Sequence, residues 1–340
     1  MEPTSASHQS ESGPTGVTDI EIEHLVLMAT YAPSVHNTQP WLFVAIPDGL
    51  LLRADRTRQL SVLDPYGRDL ALSCGSALHH VQVAARAIGL DCEVVLFPHD
   101  EVPDDVATVR LARGKPASDD ELEAAVAILH RHTHRGRFPG EQLPEALLDR
   151  LTGAVEGQHA MLRVVRPAEL VELEVLVSRS EQALLDTPGY AAELAQWVWQ
   201  DQDQDRGDGL PVAAVDHGPG RAESLQGRQF EGSALPRPQE PPVAEHPTVV
   251  LLTTLSDELV DWVQAGRALS ALLLTATHEH ALAQPISQVV DVPQTRWAMQ
   301  QLLGTVGVPQ MLLRLGLGTN VALSPRRPVA EVFTPIRTQK

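Results

Sequence analysis

Cysteine is scarce: Cys74 and Cys92 are the only two in 340 residues. Their neighbours Ser73, Gly75, Asp91 and Glu93 make no metal-binding pattern, and no disulfide framework is implied, which fits a reducing compartment. A basic surplus is missing as well. The net charge is −18, and an acidic chain repels phosphate backbones and anionic lipid, which argues against nucleic acid and membrane surfaces as partners. The longest apolar stretches, such as Leu269 to Ala276, fall far short of the ~20 residues a membrane helix needs. Residues 1–18 are rich in Ser, Glu, Pro and Gly but carry no basic region followed by an apolar run. They read as a disordered tail rather than a signal peptide, and the expected location is the cytoplasm. No Gly-X-Ser-X-Gly elbow occurs, so Ser34 and His36, two residues apart in one loop, do not read as a hydrolase pair. Leu315-Gly316-Leu317-Gly318 lacks the third glycine and the strand-to-helix setting of a dinucleotide-binding turn.

What is present suits a two-part globular protein. Hydrophobic residues make up 43% of the chain, and this length divides into domains of roughly 150 residues each. Helical spacing over Ile20–Tyr31 gives way to strand patterns at Trp41–Ile46 and Leu50–Ala54. A long helix pattern over Asp69–Ile88 ends at Gly89, and strands follow at Cys92–Pro98 and Asp105–Ala112. Ser118 and Glu121 cap a helix running to His130. Further helices are expected at Leu143–Val155, Pro167–Leu185, Asp257–His280 and Asp291–Val306. Further strands are expected at Met161–Val165, Val249–Thr254 and Asn320–Leu323. Hairpin-length connections between neighbouring strands favour an α+β class with helices on a mixed sheet. Residues 197–247 break the pattern with Asp-Gln repeats, glycines and prolines, and read either as a lid or as a plain surface insert.

The element order repeats. The helix ending at Ala32 and the strand from Trp41 match the helix ending at Val155 and the strand at Leu162. Gly67-Arg68 and Gly266-Arg267 each read as the opening of a helix. A duplicated chain can mimic a symmetric homodimer, with its ligand site between the halves.

Three segments carry chemistry. Ala32-Pro33-Ser34-Val35-His36-Asn37-Thr38-Gln39-Pro40-Trp41 is stiffened by two prolines. Its Ser34, His36, Asn37 and Gln39 offer donors and acceptors suited to a heteroaromatic ring such as a flavin pyrimidine. The alternative is a polar turn with Trp41 as core anchor. The second, His130-Arg131-His132-Thr133-His134-Arg135-Gly136-Arg137-Phe138, concentrates guanidinium groups and a hydroxyl that match phosphate oxygens. It could also be a solvated basic turn, and its alternating histidines suggest a metal, although no carboxylate or cysteine lies close enough in sequence to complete a shell. The third combines the glycines of 315–318, allowing close backbone approach before a short strand, with Pro325-Arg326-Arg327-Pro328 and Val329-Ala330-Glu331-Val332. Trp197 and Trp199 could cover a ligand face or anchor the insert, and Cys74 reads as core.

The first segment resembles the nitroreductase signature, a Pro-Ser loop leading through Asn and Gln-Pro-Trp into a strand. Its His-Asn-Thr-Gln-Pro-Trp form looks most like the Acg branch, and the resemblance runs from about Asp19 to Phe333. It implies FMN as cofactor, with Ser34, His36, Asn37 and Gln39 holding it from across the interface between halves. It also implies a phosphate grip by Arg131, Thr133 and Arg135, joined by Arg327 of the carboxy-terminal basic motif. The implied fold is the α+β nitroreductase fold duplicated in one chain to mimic the family homodimer. The halves would be residues 19–117 and 118–340, the second carrying the insert 197–247. Each motif occurs once, so one complete FMN site is expected. The implied activity is reduction of nitro- or quinone-type acceptors with NAD(P)H. The family does not depend on a particular acid or base, so no catalytic side chain is assigned and no metal is expected. The rival expectation is a flavin-sequestering protein whose insert shields the cofactor. The chain is expected as a monomer or weak homodimer.

Overall fold

The computed structural model describes residues 16–136, 138, 142–199, 206–212, 245–318 and 324–336. The chain opens with helix α1 (Asp19–Thr30), capped reciprocally by Thr18 and Glu21. A hairpin follows, β1 (Trp41–Ile46) and β2 (Gly49–Ala54), then the long helix α2 (Arg68–Ala87) and the hairpin β3 (Leu90–Leu96) and β4 (Asp105–Arg113). Helix α3 (Asp119–His130) begins at the expected Ser118–Glu121 capping box. Beyond it lie α4 (Glu145–Glu156), β5 (Met161–Val164), α5 (Pro167–Leu185) and α6 (Tyr190–Trp197), with the two-residue strands β6 (Val198–Trp199) and β7 (Leu210–Pro211). Strand β8 (Thr248–Thr254), helix α7 (Leu259–His278) and strand β9 (Ala281–Ile286) come next. The chain ends with α8 (Gln288–Asp291), α9 (Pro293–Leu303), β10 (Val308–Leu317), α10 (Val329–Val332) and β11 (Phe333–Thr334).

The strands form two main sheets, ordered β11-β1-β2-β4-β3 and β5-β8-β10-β9. Helix α2 packs its apolar face on the first sheet, and α7 does the same on the second. The two helices also pack against each other, so most of α2 is buried. This mixed arrangement is the α+β class that the hairpin spacing implied. Among the described residues no helix is long and apolar enough to cross a membrane.

The repeat is visible in three independent features. Replacing α1-β1-β2-α2-β3-β4 by α4-β5-β8-α7-β9-β10 turns the order β1-β2-β4-β3 into β5-β8-β10-β9. Strands β4 and β10 both shift register near their first residues, between partners Leu52 and Arg53 in one sheet and at Pro309/Met311 in the other. Helices α2 and α7 are each 20 residues long, and they touch through Gly75 and Gly266, which occupy the same position in each. A Cβ on Gly75 would lie 2.1 Å from the Val263 carbonyl oxygen, and one on Gly266 would lie 2.0 Å from that of Leu72. The contact is reciprocal, as a local two-fold axis requires. His79 and Ser270, again at matching positions, meet across it at 2.8 Å.

This corrects the expected pairing of Gly67-Arg68 with Gly266-Arg267. Gly67 caps α2 in the left-handed region at φ 78°, a task for a residue without a Cβ. Gly266 lies inside α7, where the need is backbone approach. The helix expected over 291–306 is α9 alone, starting at Pro293, and the short α8 ends just before it at Asp291. Gly316 lies within β10, and a Cβ there would lie 2.6 Å from the Phe138 ring. The short strand expected at 320–323 lies outside the described residues.

Candidate functional site

The signature loop joins α1 to β1, and its backbone is strained. His36, Asn37 and Gln39 have φ of 46°, 56° and 48°, a region that non-glycine residues rarely occupy and that costs of order 1–3 kcal/mol per residue. Hydrogen bonds hold the loop in this shape. Ser34 Oγ accepts from the Gln39 backbone N–H at 2.9 Å, and Ser73 Oγ of α2 accepts from Val35 N–H at 3.3 Å. Trp41 is fully buried at the start of β1, anchoring the loop to the core.

The amide side chains of the loop clasp two distant segments. Asn37 Nδ2 donates to the Gly209 carbonyl at 2.9 Å and to the Pro325 carbonyl at 3.0 Å. Gln39 Nε2 donates to the Gly207 carbonyl at 2.8 Å, while its Oε1 accepts from the Arg327 N–H at 2.9 Å. Residues 206–211 of the insert therefore lie directly on the loop. Arg58 pairs with Asp208 there, and its Nε donates to the Thr38 carbonyl at 2.5 Å. The two tryptophans serve as anchors: Trp199 Nε1 donates to the Asp208 carbonyl at 2.8 Å, and the Arg58 guanidinium sits 5.3 Å from the centre of the Trp197 ring. The remainder of the lid expected at 197–247, residues 200–205 and 213–244, lies outside the described residues.

The basic segment leaves α3 at Arg131 and runs beside β9. Thr133 bridges Ala283 in parallel, and His134 N–H donates to the Ala283 carbonyl at 2.9 Å. This pairing fixes Thr133 and brackets it between Arg131 and Arg135. Arg131 is 3% exposed, and its Nη2 donates to the Tyr31 carbonyl at 3.0 Å. Arg326 reaches the same carbonyl at 3.5 Å and stacks on the Tyr31 ring. Burial, then repulsion from Arg326 and Arg135, pulls the Arg131 guanidinium down to about 9. Burial brings Arg135 and Arg326 each down to about 10. His132 is depressed to about 4 by burial and then by Arg131, Arg326 and His130.

The Nε atoms of Arg131 and Arg326 are buried without a hydrogen-bond partner, and among the described residues neither guanidinium has a carboxylate partner. Buried cations are normally paired. Orphaned donors on two converging guanidinium groups fit a phosphate monoester, whose oxygens accept bidentate, charge-assisted bonds.

Arg327 stands apart. Its Nη1 donates to the Gln39 carbonyl at 3.1 Å and its Nη2 to the Glu331 carbonyl at 3.2 Å, with the Asp55 carboxylate 3.8 Å away. It clasps the carboxy-terminal segment to the signature loop, and its neighbour Arg326 joins Arg131. Two adjacent basic residues look alike in sequence; which one turns toward Arg131 depends on the path of a non-helical segment. His80 was also not singled out from the sequence. It lies in α2 close enough to Arg131 and Arg326 for both to act on its ring, and the adjacent pair His79-His80 inside an apolar helix pattern was its only signal.

No family model matches the chain. It is 31% identical over 324 residues to "Putative NAD(P)H nitroreductase Rv3131" of Mycobacterium tuberculosis, covering 92% of this chain and 91% of that one. It is 28% identical over 323 residues to "Putative NAD(P)H nitroreductase acg" of the same organism, covering 94% and 97%. Among solved structures, the FMN-dependent nitroreductase NfnB from Mycobacterium smegmatis in complex with NADPH aligns with a TM-score of 0.41 and 16% identity, over 65% of this chain and 100% of that one. A nitroreductase with bound FMN from Desulfitobacterium hafniense gives 0.40 and 15%, over 63% and 98%. End-to-end similarity to named nitroreductases, carried by a chain with the Ser-loop signature, places this protein in the nitroreductase family, in the branch that contains Acg.

Proposed function

We propose that the chain is an FMN-dependent NAD(P)H oxidoreductase acting on small nitro- or quinone-type acceptors, with one FMN between the 34–39 loop and the 131–135 segment. The guanidinium pair of Arg131 and Arg326, each with a buried, unpartnered Nε and lacking any carboxylate among the described residues, is the observation that carries this reading. Arg131, Thr133 and Arg135 would receive the phosphate, with Arg326 closing from the carboxy-terminal side. Arg327 supports the site by clasping Gln39. Ser34 and His36 would present the strained loop to the flavin ring, and Asn37 and Gln39 hold the segments that border it. When bound, FMN supplies the hydride chemistry; the protein binds it, orients it and limits water.

One observation favours a second reading. Residues 206–211 rest on the loop and use the Asn37 and Gln39 side chains, as a cover over a stored flavin would. An anaerobic absorbance titration of FMN-loaded protein with NADPH and then NADH separates the two. Bleaching of the flavin band within seconds to minutes, followed by reoxidation on adding a nitro compound or quinone, is the expected result. A bound flavin that ignores both nucleotides but bleaches with dithionite would overturn the reductase and favour sequestration.

A further inference from the structure

Helix α2 packs against both α1 and α3. Tyr31 follows the last residue of α1 and Arg131 the last residue of α3, so the Tyr31 carbonyl that receives Arg131 and Arg326 lies where these three helices meet. His80 on α2 has no exposed surface, and both of its ring nitrogens are buried without a hydrogen-bond partner. Its neighbour His79 is satisfied by Ser270. A buried imidazole with neither nitrogen paired is costly, of the order of a missing hydrogen bond or more, and such groups normally mark a partner that completes them. The charged or titratable groups acting on His80 are Arg131, His79 and Arg326. Neither arginine can accept from it, His79 is engaged with Ser270, and none of the three is an acid that could charge it. Burial and then these neighbours hold the ring neutral, far below the ordinary histidine range. A neutral imidazole presents one N–H donor.

We propose that His80 is a ligand-contact residue of the anion pocket, donating a hydrogen bond from α2 to a phosphate oxygen of the ligand gripped by Arg131 and Arg326. The inference rests on the FMN reading of that pocket and adds a contact that none of the three sequence segments contains. His80 contributes selectivity for the phosphorylated flavin, because riboflavin lacks the group it addresses. A hydrogen bond to a charged group corresponds to roughly a tenfold change in affinity or more.

The test is fluorescence titration of flavin-free protein with FMN and with riboflavin, on the wild type, His80→Phe, His80→Leu and His80→Gln. Phe and Leu fill the site without a donor, and Gln restores one. In the donor-less variants FMN affinity should fall about tenfold or more, with riboflavin affinity unchanged. Gln should recover most of the loss. Melting curves without flavin show which of the two donor-less variants is folded, and either suffices. Wild-type FMN affinity in a folded donor-less variant overturns this inference while leaving the FMN site standing. An equal loss for both flavins assigns His80 to packing and also overturns it. A wild-type protein that takes up neither flavin overturns the FMN reading itself.

Discussion

Arg68, at the first position of α2, carries one positive charge among three carboxylates. Its Nη2 lies 2.6 Å from Asp69 and 2.7 Å from Asp291, and Asp64 accepts from the Leu70 N–H at 2.9 Å on the same helix start. All are buried. Burial, and then the charge of Asp69, pushes Asp64 up to about 7, from about 4 for an aspartate in an unfolded chain. A group that binds its proton more tightly when folded stabilises the fold at low pH. That stabilisation is lost as the pH rises from about 4 through about 7, at up to about 1.4 kcal/mol per unit. Asp64→Asn keeps an oxygen for Leu70 and removes the titration. Thermal melts at several pH values should show the wild type losing stability relative to the variant between about pH 4 and pH 7 and levelling off above it. Parallel curves would mean that the proton is not shared in this way. The arginines of the site follow the opposite logic: among the described residues no carboxylate pairs with Arg131 or Arg326, a cost that an anionic ligand would offset.

The elements explain what could be read from the sequence and what could not. Helices α1, α3 and α5 and strands β1, β4 and β8 begin and end close to where their periodicity and caps put them, because local signals set those limits: Thr18 and Ser118 caps, the Pro167 start and the Gly49 turn. The strand β10 was missed. Nine of its ten positions are at least partly buried and eight fully so, so it has no alternating pattern, and Gly316 within it, with Gly318 just beyond, reads as a point of close backbone approach before a strand. The axis of the repeat was missed for a related reason. Gly75 and Gly266 answer to a neighbour nearly two hundred positions away, which no local pattern reports. That contact makes a sharp prediction. Gly75→Ala or Gly266→Ala puts a methyl group about 2 Å from backbone oxygen, and α2 and α7 must separate. Each should cost about 3 kcal/mol, at the upper end of overpacking. The double variant should cost less than the sum, because one separation relieves both clashes. Gly153→Ala, in open space on α4, should instead stabilise by about 0.5–1 kcal/mol. Chemical denaturation of the four variants checks the pattern, and full additivity of the pair would place the two glycines in separate contacts.

At the scale of the whole molecule, duplication raises the question of how many ligands one chain holds. The local two-fold that relates α2 to α7 would carry a site at one end of the seam to a second at the other. Among the described residues the parts needed for the second are not brought together. The counterpart of the Arg131–Arg135 segment, which precedes α4, would lie ahead of α1 and outside the described residues. The counterpart of the signature loop, between α1 and β1, is Gly157-Gln158-His159-Ala160 between α4 and β5, without proline, serine or the Asn and Gln clasps. The carboxy-terminal segment bearing Arg326 returns only to the first sheet, where β11 pairs with β1. In the proposed site each half would supply a different portion of one pocket, the fold keeping its symmetry while the chemistry would not. Flavin-free protein titrated with FMN and followed by equilibrium dialysis or calorimetry should therefore bind one FMN per chain. Arg131→Ala should abolish tight binding rather than halve it, since no equivalent site remains to take up the ligand. A stoichiometry of two, or a variant that retains half the bound flavin, would show that the second end of the seam builds a pocket from residues other than these counterparts, and the duplicated chain would then be a functional dimer in one polypeptide.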